Sequence, residues 1–204
     1  KDGRFTTYRR ANGLPSERVQ ALALAADGAL WVGTADAGLA RFRQGSFETF
    51  GRDRGLGSLE VTALLLDRSG TLWVGGLDGS LARLERAGFR TVWAPRGAFR
   101  INALVQDRDG NVWVGGPGVV RVRGGEVEQA PAGHALAQAQ VMALFEDREA
   151  NLWVGTHGGG LARLRDSRFI AVTTADGLAS SYVKSVTVGP DGRVWVGTYG
   201  GGLN

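Results

Sequence analysis

Three sets of side chains recur at fixed distances from a repeated tryptophan, and they hold most of the chemistry this sequence can offer. Thirteen residues before each Trp stand Arg18, Glu60, Arg100, Gln140 and Tyr182. Eleven before stand Gln20, Thr62, Asn102, Met142 and Lys184. Four after come Ala35, Leu77, Pro117, His157 and Tyr199, with Asp36 and Asp78 next to the first two. An apolar residue separates the first two sets in every copy: Val19, Val61, Ile101, Val141 and Val183. A constant frame thus brackets positions that differ from copy to copy. That pattern suits an asymmetric site for a small polar ligand made from a symmetric scaffold. It equally suits solvated loop residues that nothing constrains. Guanidinium, carboxylate, amide, imidazole and ammonium groups can meet hydroxyl-rich or anionic ligands, with Tyr182 or Tyr199 as stacking surfaces. A saccharide is one candidate class.

Catalytic readings find less support. The chain has two histidines, His134 and His157. His157 lies in Thr156-His157-Gly158-Gly159-Gly160, where a general base could be exposed. A lyase needs a partner acid or base and a metal or oxyanion site besides, and no such constellation is visible. A glycosidase needs two carboxylates at a defined separation; Glu60, Asp36 and Asp78 are the available groups. Residues 107–111 begin like a calcium loop but lack the later Glu, and they coincide with a repeated turn. No Gly-x-x-x-x-Gly-Lys phosphate loop occurs, and there is no Cys to supply a thiolate site. No metal and no cofactor is expected.

The elements that must position these residues are repeats. Trp-Val-Gly-(Thr/Gly) begins at Trp31, Trp73, Trp113, Trp153 and Trp195, at spacings of 42, 40, 40 and 42 residues. Strand-like repeats of about 40 residues are the signature of a β-propeller, whose units bury their faces only by stacking. The second unit reads as four short antiparallel strands. The half-exposed alternation at 45–50 comes first, then the apolar run at 61–66, then 71–75, then 81–84. Asp67-Arg68-Ser69-Gly70 is a turn in which Asp accepts backbone N–H groups and Gly supplies positive φ. Corresponding turns occur at 26–28, 108–110, 148–150 and 190–192; Ala150 replaces the Gly, which predicts a different geometry there. The third unit is shortened after its Trp. The five motif tryptophans are expected between blades, and Trp93 in a partly exposed outer strand.

The fold class is therefore all-β, a propeller of four-stranded antiparallel blades with five units over residues 1–204 as one domain. Residues 3–8 read as an outer strand that could complete the last blade and close a five-bladed ring; a piece of a larger ring is the alternative. The chain starts inside a strand-like phrase, which favours a fragment.

Net charge is +4, from 24 basic and 20 acidic residues. Arg41, Arg83, Arg121 and Arg163 fall at one place in the repeat, so the basic charge is spread over the units and nucleic-acid binding is not expected. No apolar run approaches the roughly 18 residues of a membrane span.

The phrases resemble two-component regulator propeller repeats. The match lies in Gly-Leu-Pro-Ser (13–16) and Asp-Gly-Leu-Ala-Ser (176–180), in Asp-x-x-Gly-x-Leu-Trp-Val-Gly-Thr, and in Gly-Gly-Leu-Ala-Arg-Leu (159–164). It covers essentially the whole chain. The resemblance implies a periplasmic, ligand-sensing propeller of a bacterial inner-membrane receptor, commonly of seven blades. Signalling domains such as a histidine kinase or diguanylate cyclase would follow it, and a homodimer is possible. The repeats are also similar to those of streptogramin lyases. A non-enzymatic sensor is thus the expected function, with a propeller enzyme or a protein-interaction platform as alternatives.

Overall fold

The computed structural model describes residues 3, 5–95, 100–129, 136–137, 139–165 and 168–204. The chain divides into two compact units, Lys1–Arg96 and Gly97–Asn204. The first holds two four-stranded antiparallel sheets. One runs β1 (Val19–Leu24), β2 (Leu30–Thr34), β3 (Leu39–Arg43), β4 (Ser46–Phe50); the other runs β5 (Val61–Leu66), β6 (Leu72–Gly76), β7 (Leu81–Glu85), β8 (Gly88–Trp93). The second unit holds three sheets. They are β9 (Ala103–Gln106) to β10 (Val112–Gly116), β11 (Gly118–Arg123) and β12 (Glu126–Gln129); β13 (Val141–Glu146) to β14 (Leu152–Thr156), β15 (Leu161–Arg165) and β16 (Arg168–Val172); and the three-stranded β17 (Val183–Val188), β18 (Val194–Thr198), β19 (Gly202–Leu203).

Two expectations about strands need correction. The segment at 45–50 does not open the second sheet. It closes the first, pairing as β4 with β3 from Leu39↔Phe50 to Arg43↔Ser46. The reason is local: Gln44 and Gly45 both take positive φ, 51° and 85°. That is the backbone of a tight two-residue hairpin, whose twist matches its strands. The strand grouping therefore shifts by one element in every unit. Residues 5–8, expected as an outer strand, form none. Tyr8 instead packs its ring against Phe42 at 4.7 Å and Phe47 at 5.8 Å, on the outer strands of the first sheet.

Sheets within a unit lock together at the glycine of the repeated motif. A Cβ on Gly33 would stand 2.6 Å from Val61 Cγ1; on Gly115 and Gly155 it would stand 2.5 Å from Val141 and Val183. Each glycine is thus a notch that admits the valine of the following sheet, a close approach that only Gly permits. Trp31 sits in a core cluster with Phe50, Leu56, Val61 and Phe89, spanning both sheets of the first unit. Trp113 clusters with Val141 and Val154, and Trp153 packs against Val183 and Val196, so these too lie between sheets. Trp73 is buried, whereas Trp195, in the three-stranded sheet, is 38% exposed.

Beneath the indoles lies a repeated polar anchor. Six residues before the Trp, Asp67, Asp107 and Asp147 each accept the indole N–H at 2.8, 2.7 and 2.7 Å. The other carboxylate oxygen accepts turn amides, such as Ser69 and Thr71 on Asp67. At Asp67 and Asp147 burial opposes ionisation, but the hydrogen bonds outweigh it and hold both carboxyls below the usual range. The turn at Ala150 keeps the common geometry, contrary to expectation. Ala150 has φ 66°, beside 82° at Gly70 and 87° at Gly110. Asp147 fixes it by accepting the amides of Glu149 and Asn151, at 3.0 and 2.8 Å.

Candidate functional site

The variable positions of four of the five sheets share one local design. Where β1, β5, β13 and β17 begin, the register slips by one residue between Val19 and Ala21, Val61 and Ala63, Val141 and Ala143, and Val183 and Ser185. The extra residue is Gln20, Thr62, Met142 or Lys184, the position eleven before Trp. A β-bulge re-aims such a side chain out of the ladder. The preceding valine is the key that fills the glycine notch, except Val19, which is exposed. The residue before that, thirteen from Trp, offers its carbonyl to the amide four after Trp. Ala35 donates to Arg18 at 2.9 Å, Leu77 to Glu60 at 3.0 Å, His157 to Gln140 at 2.8 Å and Tyr199 to Tyr182 at 2.8 Å. Consecutive sheets join at the same level. Pro117 bridges to Gln140 and His157 to Tyr182, while Gly38, Gly118 and Gly160 donate to Leu59, Ala139 and Ser181. In the second unit Pro117, Gln140, His157, Tyr182 and Tyr199 therefore form one continuous row.

The side chains behave differently in the two units. In the first, Arg18 Nη1 stands 3.6 Å from Asp36 Oδ2, and Gln20 donates to Glu60 at 3.1 Å. Asp78 accepts the amide and hydroxyl of Ser80, at 2.9 and 2.6 Å, and so closes its own turn. In the second, Asn102 donates to the Val141 carbonyl at 2.7 Å, and Arg100 is exposed in the loop ahead of β9. His157 meets Tyr182 edge to face at 4.7 Å, and Lys184 Nζ lies 5.8 Å over the Tyr199 ring. Tyr182 is 45% exposed and Tyr199 71%. His134 lies outside the described residues.

Two sets of positioning residues were not singled out from sequence. Serines fifteen before Trp turn the chain into the strand: Ser16, Ser58 and Ser180 accept the amides of Arg18, Glu60 and Tyr182. Ser180 also donates to the Tyr199 carbonyl at 3.0 Å, tying the two tyrosine loops together. Their shared offset was the available signal. At the opposite end, Arg108 donates to the carbonyls of Asp147 and Arg148, and Arg148 to that of Pro190, clamping successive sheets. The periodic arginines are also committed, with Arg41, Arg121 and Arg163 lying 5.4, 5.3 and 5.6 Å over Trp31, Trp113 and Trp153. The turn at 107–111 is filled by its own groups, since Asp107 holds Asn111 as well as the indole.

Antiparallel sheets of one design, stacked by a glycine notch, define β-propeller repeats. The two component regulator propeller family matches residues 13–36, 55–78, 98–118 and 177–200. No curated protein matches the sequence. Among solved structures it is similar to the extracellular domain of a one component system from B. thetaiotaomicron, with TM-score 0.79 and 21% identity over 91% of this chain and 27% of that one. It is also similar to virginiamycin B lyase from Staphylococcus aureus, with TM-score 0.73 and 12% identity over 94% of this chain and 71% of that one. A third likeness is PorZ of the Porphyromonas gingivalis type-IX secretion system, with TM-score 0.69 and 18% identity over 91% and 31%. At these identities the likeness is one of fold. The chain spans about a quarter of the extracellular domain it resembles, 27% of its length.

Proposed function

We propose that this chain is the ligand-sensing, extracytoplasmic module of a bacterial signal-transduction receptor. It would bind a small polar ligand without turning it over, at the axial face where the loops enter the first strand of each sheet. The observation that carries the reading is the row Gln140–His157–Tyr182–Tyr199: its backbone is hydrogen-bonded from sheet to sheet, while its side chains differ and stand open. Fixed backbone under unlike polar and aromatic groups is how a repeat scaffold builds an asymmetric binding surface. The family match and the fold shared with an extracellular receptor domain support placing it outside the cytoplasm, as the sensor of a longer chain with signalling domains. One propeller domain over 1–204, as a ring or part of one, belongs to the same reading, as does a receptor homodimer.

The test is a thermal-shift screen against oligosaccharides, organic acids and nucleotides. A ligand at about 100 times its dissociation constant adds about 2.7 kcal/mol. For a chain of this size that is a shift of about 5–10 °C. A hit that is not consumed supports the sensor. Turnover of the hit, or cooperative melting that no compound shifts, overturns it.

A further inference from the structure

The second unit differs from the first in the sign of its offered charge. Its three variable sets comprise Arg100, Gln140 and Tyr182; Asn102, Met142 and Lys184; Pro117, His157 and Tyr199, without one carboxylate. The first unit places Asp36, Glu60 and Asp78 at or beside the same positions. In the described loops that enter the first strands of the second unit, the one acid is Asp176. It is already spent, accepting the amide and hydroxyl of Thr173 at 2.9 and 3.0 Å. Lys184 is projected by the bulge, exposed, and paired with no carboxylate among the described residues. Its ammonium sits over the Tyr199 ring at 5.8 Å, so one loop presents a positive charge and an aromatic face together. Tyr182, tied to Tyr199 by backbone and by Ser180, adds a second exposed ring.

A neutral sugar or alcohol would use the rings and leave the ammonium to water. A free anion would use the ammonium and leave the rings bare. Both features are engaged at once by a ring that carries an anionic group.

We propose that the Lys184–Tyr199–Tyr182 edge binds a small ring compound bearing a carboxylate, its flat face on the tyrosines and its anion toward Lys184. This rests on the sensor reading and narrows its ligand class. The ring can belong to a sugar acid or to an aryl acid, and the test separates them. Saturation-transfer NMR and calorimetry would compare D-galacturonate with D-galactose, and 4-hydroxybenzoate with phenol, on the whole 204-residue chain. At least one acid should bind about tenfold more tightly than its neutral partner, in keeping with one charge-assisted contact of about 1.5 kcal/mol or more. Lys184→Gln should erase that preference while the melting temperature holds, because the side chain is exposed. Tyr199→Ala should weaken acid and neutral compounds alike. Equal binding of acid and neutral partner overturns the anion preference and leaves the sensor standing. Acid binding untouched by Lys184→Gln overturns the location. Binding of none of the four, beside a screening hit of another class, overturns the proposal alone; no hit of any kind overturns both.

Discussion

The two compact units share the notch between sheets and the bulge that opens β1, β5, β13 and β17, yet their variable positions carry different side chains into different contacts. In the first, Arg18 faces Asp36, Gln20 holds Glu60, and Asp78 closes a turn on Ser80. In the second, Asn102 likewise holds the Val141 carbonyl, while His157 meets Tyr182 and Lys184 lies over Tyr199, four side chains that stay exposed. The backbone geometry is therefore not what makes a repeat available for binding. Availability depends on whether the side chains satisfy one another. A polar group already paired gains little from a new partner, whereas an open one exchanges only water.

The largest effect should come from filling a notch. Gly155→Val would push a branched side chain into Val183, and overpacking of this kind costs about 1–3 kcal/mol. Chemical denaturation should show that loss, and ligand binding in the second unit should fall with it. Next is the polar anchor, which occurs in both units. Asp147→Ala leaves the part-buried Trp153 N–H and the buried Asn151 amide without their acceptor, for about 1–3 kcal/mol. Asp67→Ala should cost a similar amount in the first unit. A clear inequality, read from the two denaturation curves, would mean that the units differ in scaffold as well as in surface.

The same carboxyls set an acid response. Asp67 and Asp147 titrate below the usual carboxylate value when folded. The unfolded chain then binds protons more readily, so their contribution is complete above the unfolded value of about 3.9 and fades as pH falls through the lower folded value. Melting temperature measured from pH 6 to pH 2 should drop chiefly below about pH 4, and less steeply in Asp147→Asn. A smaller effect of opposite sign is expected for Ala150→Gly. It relieves a left-handed alanine and should stabilise by about 1 kcal/mol, seen as a rise in melting temperature. Smallest of all, Glu60→Gln in the first unit should change ligand affinity by less than twofold, because that carboxylate is occupied by Gln20.

Much of the scaffold was legible because it depends on residues near one another in sequence. The spacing of the tryptophans, the apolar runs and the Asp-led turns each declare themselves within a few positions. What was not legible depended on partners. Residues 45–50 alternate as any half-exposed strand would, and only the Gln44–Gly45 hairpin decides which sheet they join. Tyr8 looks like part of a strand until Phe42 and Phe47 are there to receive it. The turn at Ala150 was misread because a glycine preference is a preference, and Asp147 outvotes it. At the candidate site the positions were readable from their offsets, but their pairing was not. Nothing in the sequence says that Gln20 reaches Glu60 forty residues away while Lys184 reaches only a ring.

The notch between sheets has a consequence for how such a chain changes length. Gly33, Gly115 and Gly155 receive the same valine in the same way, so the joint is interchangeable from one pair of sheets to the next. A segment of one period, copied or excised between two such joints, brings its own glycine and its own valine. Arrays of this kind can therefore grow or shrink by whole units without any contact having to be reinvented, and each added unit arrives with three fresh surface positions to vary.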